Sequence, residues 1–175
     1  RDRGLAEGYH RVIWCDADFL IFDPDKFVLP DADFALGREV WVQRDEAGQL
    51  KTYKKLHNAF LMFCRDNHFL DFYRDTAERL VRQHEGSMVP QFIGPKLLTA
   101  LHNIGQFPVM EVAGMLSPLV MRDLIAGEGP ALDLFRQKSP SAPAGANLSS
   151  SLTEREGFTG AEMKQVIHHL LTQGP

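Results

Sequence analysis

Asp16 and Asp18, with only Ala17 between them, are the residues whose type and spacing point most directly to chemistry. An extended chain places residues i and i+2 on the same side, so both carboxylates can face one object. Carboxylates that close repel, and crowding of like charge raises one of the two pKa values. A divalent cation between them removes the conflict, and hard oxygen ligands suit Mg2+ or Mn2+. The pair therefore predicts a metal-dependent site at the end of a central strand. Asn58 is a second position of interest, a polar residue at the start of the apolar run Leu56 to Phe63, where it needs partners. Gly94-Pro95 is a third. It introduces a helix over Lys96 to Asn103, with Pro95 in the favourable first turn. The free N–H groups and positive dipole end of such a helix suit a phosphate or a sugar hydroxyl.

The elements that must hold these residues are legible as patterns. Val12 to Cys15 is an apolar run of the kind buried on both faces of a sheet, and Phe19 to Phe22 is a second, closed by the turn signal Asp23-Pro24. Ala32 to Leu36 reads as a short strand. Glu39 to Gln43 and Leu50 to Lys54 flank Asp45-Glu46-Ala47-Gly48, a hairpin turn. Asn67 caps a helix running to about His84, whose apolar residues Phe69, Phe72, Tyr73, Ala77, Leu80 and Val81 recur at helical spacing. Val109 to Val112 reads as one more strand, and Ser117-Pro118 starts a helix that Gly127 stops. Residues 127–147, rich in Gly, Pro, Ser and Ala, read as a long irregular surface excursion. Thr159 and Glu162 form a capping box for a last helix with Met163, Val166, Ile167, Leu170 and Leu171 on its apolar face.

Length and composition fit one globular domain with a real core: 175 residues, 44% apolar and 24% charged. A net charge of −4 without a basic stripe argues against nucleic acid as partner. No apolar run approaches the roughly 20 residues that span a bilayer. Cys15 and Cys64 each lie in an apolar run and read as reduced, buried thiols, which points to a cytoplasmic setting. Arg1 to Glu7 reads as the last turns of a helix stopped by Gly8, so an upstream α/β unit is expected to be missing. His57, His68, His84 and His102 read as structural or exposed.

The order of three motifs resembles glycosyltransferases of the GT-A fold that carry a DxD motif, both the retaining sugar-binding-region group and the glycogenin-like group. A hydrophobic strand, Asp16-Ala17-Asp18 and a short apolar strand come first. Asn58 in the run HNAFLMF comes second, and Gly94-Pro95 before a helix third, so the likeness covers roughly Arg3 to Asn103. It implies an α/β fold, a GT-A-like (Rossmann-like) mixed sheet flanked by helices, with the N-terminal nucleotide-binding half missing and residues 1–175 forming a single partial domain. It implies metal-dependent transfer of a sugar, with retention, from a nucleotide-sugar (a UDP-sugar) to an unspecified glycan, lipid or protein acceptor. On that likeness Asp18 is a direct ligand of Mn2+ or Mg2+, while Asp16 touches the donor or reaches the metal through water. Arg3 binds the donor, and Asn58 and Gly94 line the sugar or acceptor pocket. His168 and His169 are the only late candidates for a third metal ligand, and their apolar neighbours favour a structural role. Two other readings stand beside this one. A haloacid-dehalogenase-type phosphatase would use Asp16 as nucleophile, and a non-catalytic sugar- or protein-binding module would keep only the scaffold.

Overall fold

The computed structural model describes residues 7–89 and 91–175. The strand named from the acidic motif is β1 (Arg11–Cys15), followed by β2 (Phe19–Ile21) and two long strands, β3 (Phe34–Arg44) and β4 (Leu50–Cys64). The pieces expected separately over Ala32–Leu36 and Glu39–Gln43, and over Leu50–Lys54 and Leu56–Phe63, are thus two continuous strands of one hairpin. Asp45 closes its turn, its Oδ1 accepting from the N–H groups of Ala47 and Gln49 at 3.0 and 2.9 Å. The register slips at a bulge between Leu36 and Gly37, where the buried ring of His57 crosses the face of Gly37 so closely that a Cβ has no room.

Helix α1 (His68–Gln83) and helix α2 (Leu97–Gly105) follow the hairpin, separated by a wide helical turn, Phe92–Lys96, whose backbone leaves helical geometry at Gly94. Then come β5 (Val109–Met110), β6 (Ala113–Met115), α3 (Pro118–Ala126), α4 (Pro130–Lys138), β7 (Gly145–Asn147), α5 (Ser150–Arg155) and α6 (Gly160–Gln173). The strands form two sheets. One has the order β1-β4-β3-β5, antiparallel except for the β3–β5 edge; the other has the order β2-β7-β6, with β6 and β7 parallel. A mixed α/β architecture is what the structure bears out.

Alternation along β4 explains why its second half reads as an unbroken apolar run: both faces are covered. Leu61 and Phe63 face α1 and α2, joining Leu70, Tyr73 and Leu98. Phe60 and Met62 face the other way, toward Ala35, Met110 and Ala113, with Phe19 and Phe27 packed alongside. A third cluster ties the far half of β3, through Val40 and Val42, to α3, α4 and α6.

Several expectations need correction. β1 is not buried on both faces: it pairs only with β4 and stands at the sheet edge, leaving Ile13 and Trp14 41% and 45% exposed. Cys15 is exposed for the same reason, and only Cys64 is buried. Residues 127–147 are no surface excursion. Pro130 occupies the first turn of α4, Asp123 Oδ2 caps that helix by accepting from the N–H groups of Ala131 and Leu132, and Leu132 and Phe135 are buried. Residues 143–148 are likewise buried, because they form β7 and its flanks between two other strands. The caps at Asn67 and Thr159 are present as expected, the first accepting from Leu70 N–H at 2.9 Å and the second as a reciprocal box with Glu162. No helix among the described residues is long and apolar enough to cross a membrane.

Candidate functional site

Four of the positions singled out in the sequence meet in space. Asp16, Asp18, Asn58 and Gly94 all line one cleft of about 750 Å3, a volume within the range of small-molecule sites. Asp16 and Asp18 reach it from the turn between β1 and β2, Asn58 from the middle of β4, and Gly94 from the break before α2. Gly94 is buried against the Asn58 amide: a Cβ there would stand 3.2 Å from Asn58 Nδ2. The hairpin supplies Glu39, Trp41, Gln43 and Lys55, and α1 supplies Tyr73, whose hydroxyl donates to Ile93 O at 2.6 Å and fixes the loop before Gly94. Arg3 lies outside the described residues.

The two acids are held differently. Asp16 Oδ1 accepts from Trp14 Nε1–H at 2.8 Å, two residues back on the same side of the chain. Asp18 is gripped from the far end of the chain. Its Oδ1 accepts from Asn147 Nδ2–H at 2.6 Å, and its Oδ2 accepts from the Ser150 N–H and hydroxyl at 2.8 and 2.7 Å. Burial alone would raise its pKa, but these hydrogen bonds outweigh it, and the carboxyl is held below its ordinary range. Asp18 is therefore a firm carboxylate at neutral pH. The Cys15 thiol beside the pair, exposed as a residue but partly desolvated, is pushed up by that desolvation and by the charges of Asp16 and Asp18, so it is no ready nucleophile.

Asn147, Ser149 and Ser150 were invisible as site residues in the sequence. Asn147 ends the buried strand β7 and the serines follow it; the antiparallel pairing of β7 with β2 brings position 147 opposite Phe19. Asn147 is 4% exposed; its Oδ1 accepts from Ser149 N–H at 2.7 Å. The only signal available was an Asn inside a run of small apolar residues ending in serines. His168 and His169, the late candidates, sit instead with Leu124 and Ile125 in a separate depression on α3 and α6. His57 is structural. It is fully buried, its Nε2–H donates to Ala113 O at 2.9 Å, and its Nδ1 accepts from Ala59 N–H at 3.2 Å.

Asp16, Asp18, Asn147, Ser149 and Ser151 bring oxygen atoms to the lining of the cleft, the donor type that hard divalent cations take. Among the described residues no group of three or more His, Cys, Asp or Glu is placed to hold a metal ion, so any cation here would rest on the two aspartates and on amide, hydroxyl or water oxygens. Asp18 Oδ1 accepts one side-chain hydrogen bond and keeps a lone pair, whereas Asn147 Oδ1 already accepts from both the Ser149 N–H and, at 3.4 Å, the Ser149 hydroxyl. Comparison of the chain with protein-family models, with curated proteins and with solved structures finds no match in any of the three.

Proposed function

We propose that the chain is the catalytic part of a GT-A-like, metal-dependent glycosyltransferase that takes a sugar from a nucleotide-sugar donor, a UDP-sugar, with retention. One observation carries this reading. An acidic pair, an asparagine and a glycine-proline break, spread from position 16 to position 95, line a single cleft of ligand size.

The roles follow from the chemistry of each group. Mg2+ or Mn2+, when bound by Asp16 and Asp18 with Asn147 and Ser150 beside them, supplies positive charge for a diphosphate and for the negative charge that grows on it as the sugar leaves. Asp18 contributes a permanent carboxylate because three donors hold it ionised. Asp16, less enclosed, faces the donor. The Asn58 amide has no hydrogen-bond partner among the described residues, so both its N–H donors and its carbonyl remain available to sugar hydroxyls. Gly94 lets the chain pass against that amide, since a Cβ there would stand 3.2 Å from Asn58 Nδ2 and press on it. Tyr73 keeps this wall in place through Ile93.

The phosphatase reading asks Asp18 to give and take a proton near neutral pH. A carboxyl whose pKa is held down by Ser150 and Asn147 is poorly suited to that task. Calorimetric titration with a panel of nucleotide-sugars, with and without Mn2+, tests the transferase reading. Cation-dependent binding that is lost in Asp16→Ala, with the circular dichroism unchanged, is the expected result. No binding of any nucleotide-sugar in either condition would overturn the proposal.

A further inference from the structure

Glu39 is an enclosed acid in the wall of the same cleft, 8% exposed, with no hydrogen-bond or ion-pair partner among the described residues and carboxylate oxygens that are not sealed from solvent. Its neighbour across the hairpin is Lys55, directly opposite in the β3–β4 register, yet the Lys55 ammonium stands over the Tyr53 ring, 5.6 Å from its centre. The carboxylate is partly desolvated and open only toward the cleft, so a hydroxyl donor arriving there meets a free acceptor. Trp41 and Gln43 continue the same face of β3 at i+2 and i+4, and the Trp41 indole N–H donates to Gln43 Oε1 at 3.1 Å. That bond orients the indole within the face that also carries Glu39. One strand face thus presents an acceptor waiting for a donor, a flat apolar ring and an amide, with an ammonium opposite.

We propose that this face of the hairpin is the acceptor subsite, and that it takes a neutral polyhydroxylated ring, the end of a glycan. The inference rests on the transferase reading for the word acceptor, but not for the binding itself. A sugar ring has an apolar C–H face that lies on an indole and hydroxyls at its rim that donate to a carboxylate. Gln43 and Lys55 supply the complementary donors for ring oxygens. An anionic acceptor fits less well, because Asp16, Asp18 and Glu39 give the cleft three acids against one lysine. Burial raises the Glu39 pKa, with the Lys55 charge opposing, in keeping with a carboxyl that is desolvated before any ligand arrives.

The protein carries two tryptophans, so Trp14→Phe leaves Trp41 as the sole indole reporter. Titration of that variant with methyl glycosides of glucose, galactose, mannose and N-acetylglucosamine is read by the fluorescence of Trp41. A saturable shift with at least one glycoside is expected. The affinity should fall about ten-fold or more in Glu39→Ala, and in Glu39→Gln should weaken without the melting temperature falling, because an amide costs less to bury than an unpaired carboxylate. Mn2+-dependent donor binding should be unchanged in both variants. If donors bind while no glycoside perturbs Trp41, the subsite is refuted and the transferase reading stands. If glycosides bind while no donor does, the subsite stands and the transferase reading fails. Loss of donor binding in Glu39→Gln, or a fall in its melting temperature, assigns Glu39 to another role and overturns the inference.

Discussion

Protonation of His57 should destabilise this protein as the pH falls from neutral toward 4.5. The ring is fully buried and its pKa is lowered from 6.5 to about 4 by burial, against the opposing effect of the Ala113 carbonyl. The hydrogen bonds add a reason. Ala113 O can only accept, so Nε2 must carry the proton, and Nδ1 must then accept from Ala59 N–H. A second proton on Nδ1 would set one donor against another. The unfolded chain binds this proton near 6.5 and the folded chain only near 4, so His57 stabilises the fold fully above 6.5. That stabilisation is lost as the pH falls through the window between the two values. At about 1.4 kcal/mol per pKa unit, the loss accumulates to roughly 2.5 kcal/mol by pH 4.5. His102, whose pKa is also lowered by burial, adds to the loss in the same direction. Urea unfolding at a series of pH values from about 7.5 to 4.5 measures it. In His57→Gln the baseline stability should be lower but the pH slope in this window should flatten. An equally steep slope in His57→Gln would refute the reasoning and assign the acid sensitivity elsewhere.

Gly37→Ala should destabilise by about 3 kcal/mol in denaturant titration, because its methyl meets the His57 ring and neither the strand nor a fully buried ring can yield. Asp18→Ala should cost about 2 kcal/mol by removing an acceptor of three hydrogen bonds, at the low end because the residue is only partly buried and solvent screens it. The wild-type contribution should be present above the ordinary Asp pKa of 3.8 and fade as the pH falls below it. Thr159→Ala should lower stability by about 1 kcal/mol through loss of the capping box of α6, read as a drop in melting temperature. Asp123→Ala should loosen α4, seen as faster amide exchange at Ala131 and Leu132, while leaving exchange in β4 unchanged.

What the sequence revealed and what it hid divide along the distance over which the determining contacts act. The caps at Asn67 and Thr159 are made within three residues, and the turn at Asp45 within four, so their signals sit in adjacent letters. Asp16 and Asp18 were legible as a closely spaced acidic pair, but the geometry expected for them was not: they stand in a turn closed by Phe19 N–H donating to Asp16 O at 3.0 Å, not in an extended chain. The burial of β1 was misjudged because an apolar run says nothing about how many neighbours a strand acquires, and this one acquires a single partner. Helix α4 was hidden because its cap comes from Asp123 on the preceding helix and its composition resembles a loop. The grip of Asn147 on Asp18 spans 129 positions, and nothing near either residue announces it. Nothing in the letters around Glu39 sets it apart within the stretch Glu39 to Gln43; its environment comes from the cleft that the hairpin, α1 and the Gly94 break build together.

The claim on which the functional account rests is that the acidic pair beside β7 holds a divalent cation. Paramagnetic broadening in 15N-labelled protein during titration with Mn2+, in the presence of UDP, locates any such ion directly. The account predicts loss of amide signals centred on Asp16, Asp18, Asn147 and Ser150, reversed by excess Mg2+ and absent in Asp16→Ala. Broadening centred on His168 and His169, or on the Asp45 turn, or none at saturating Mn2+, would contradict it.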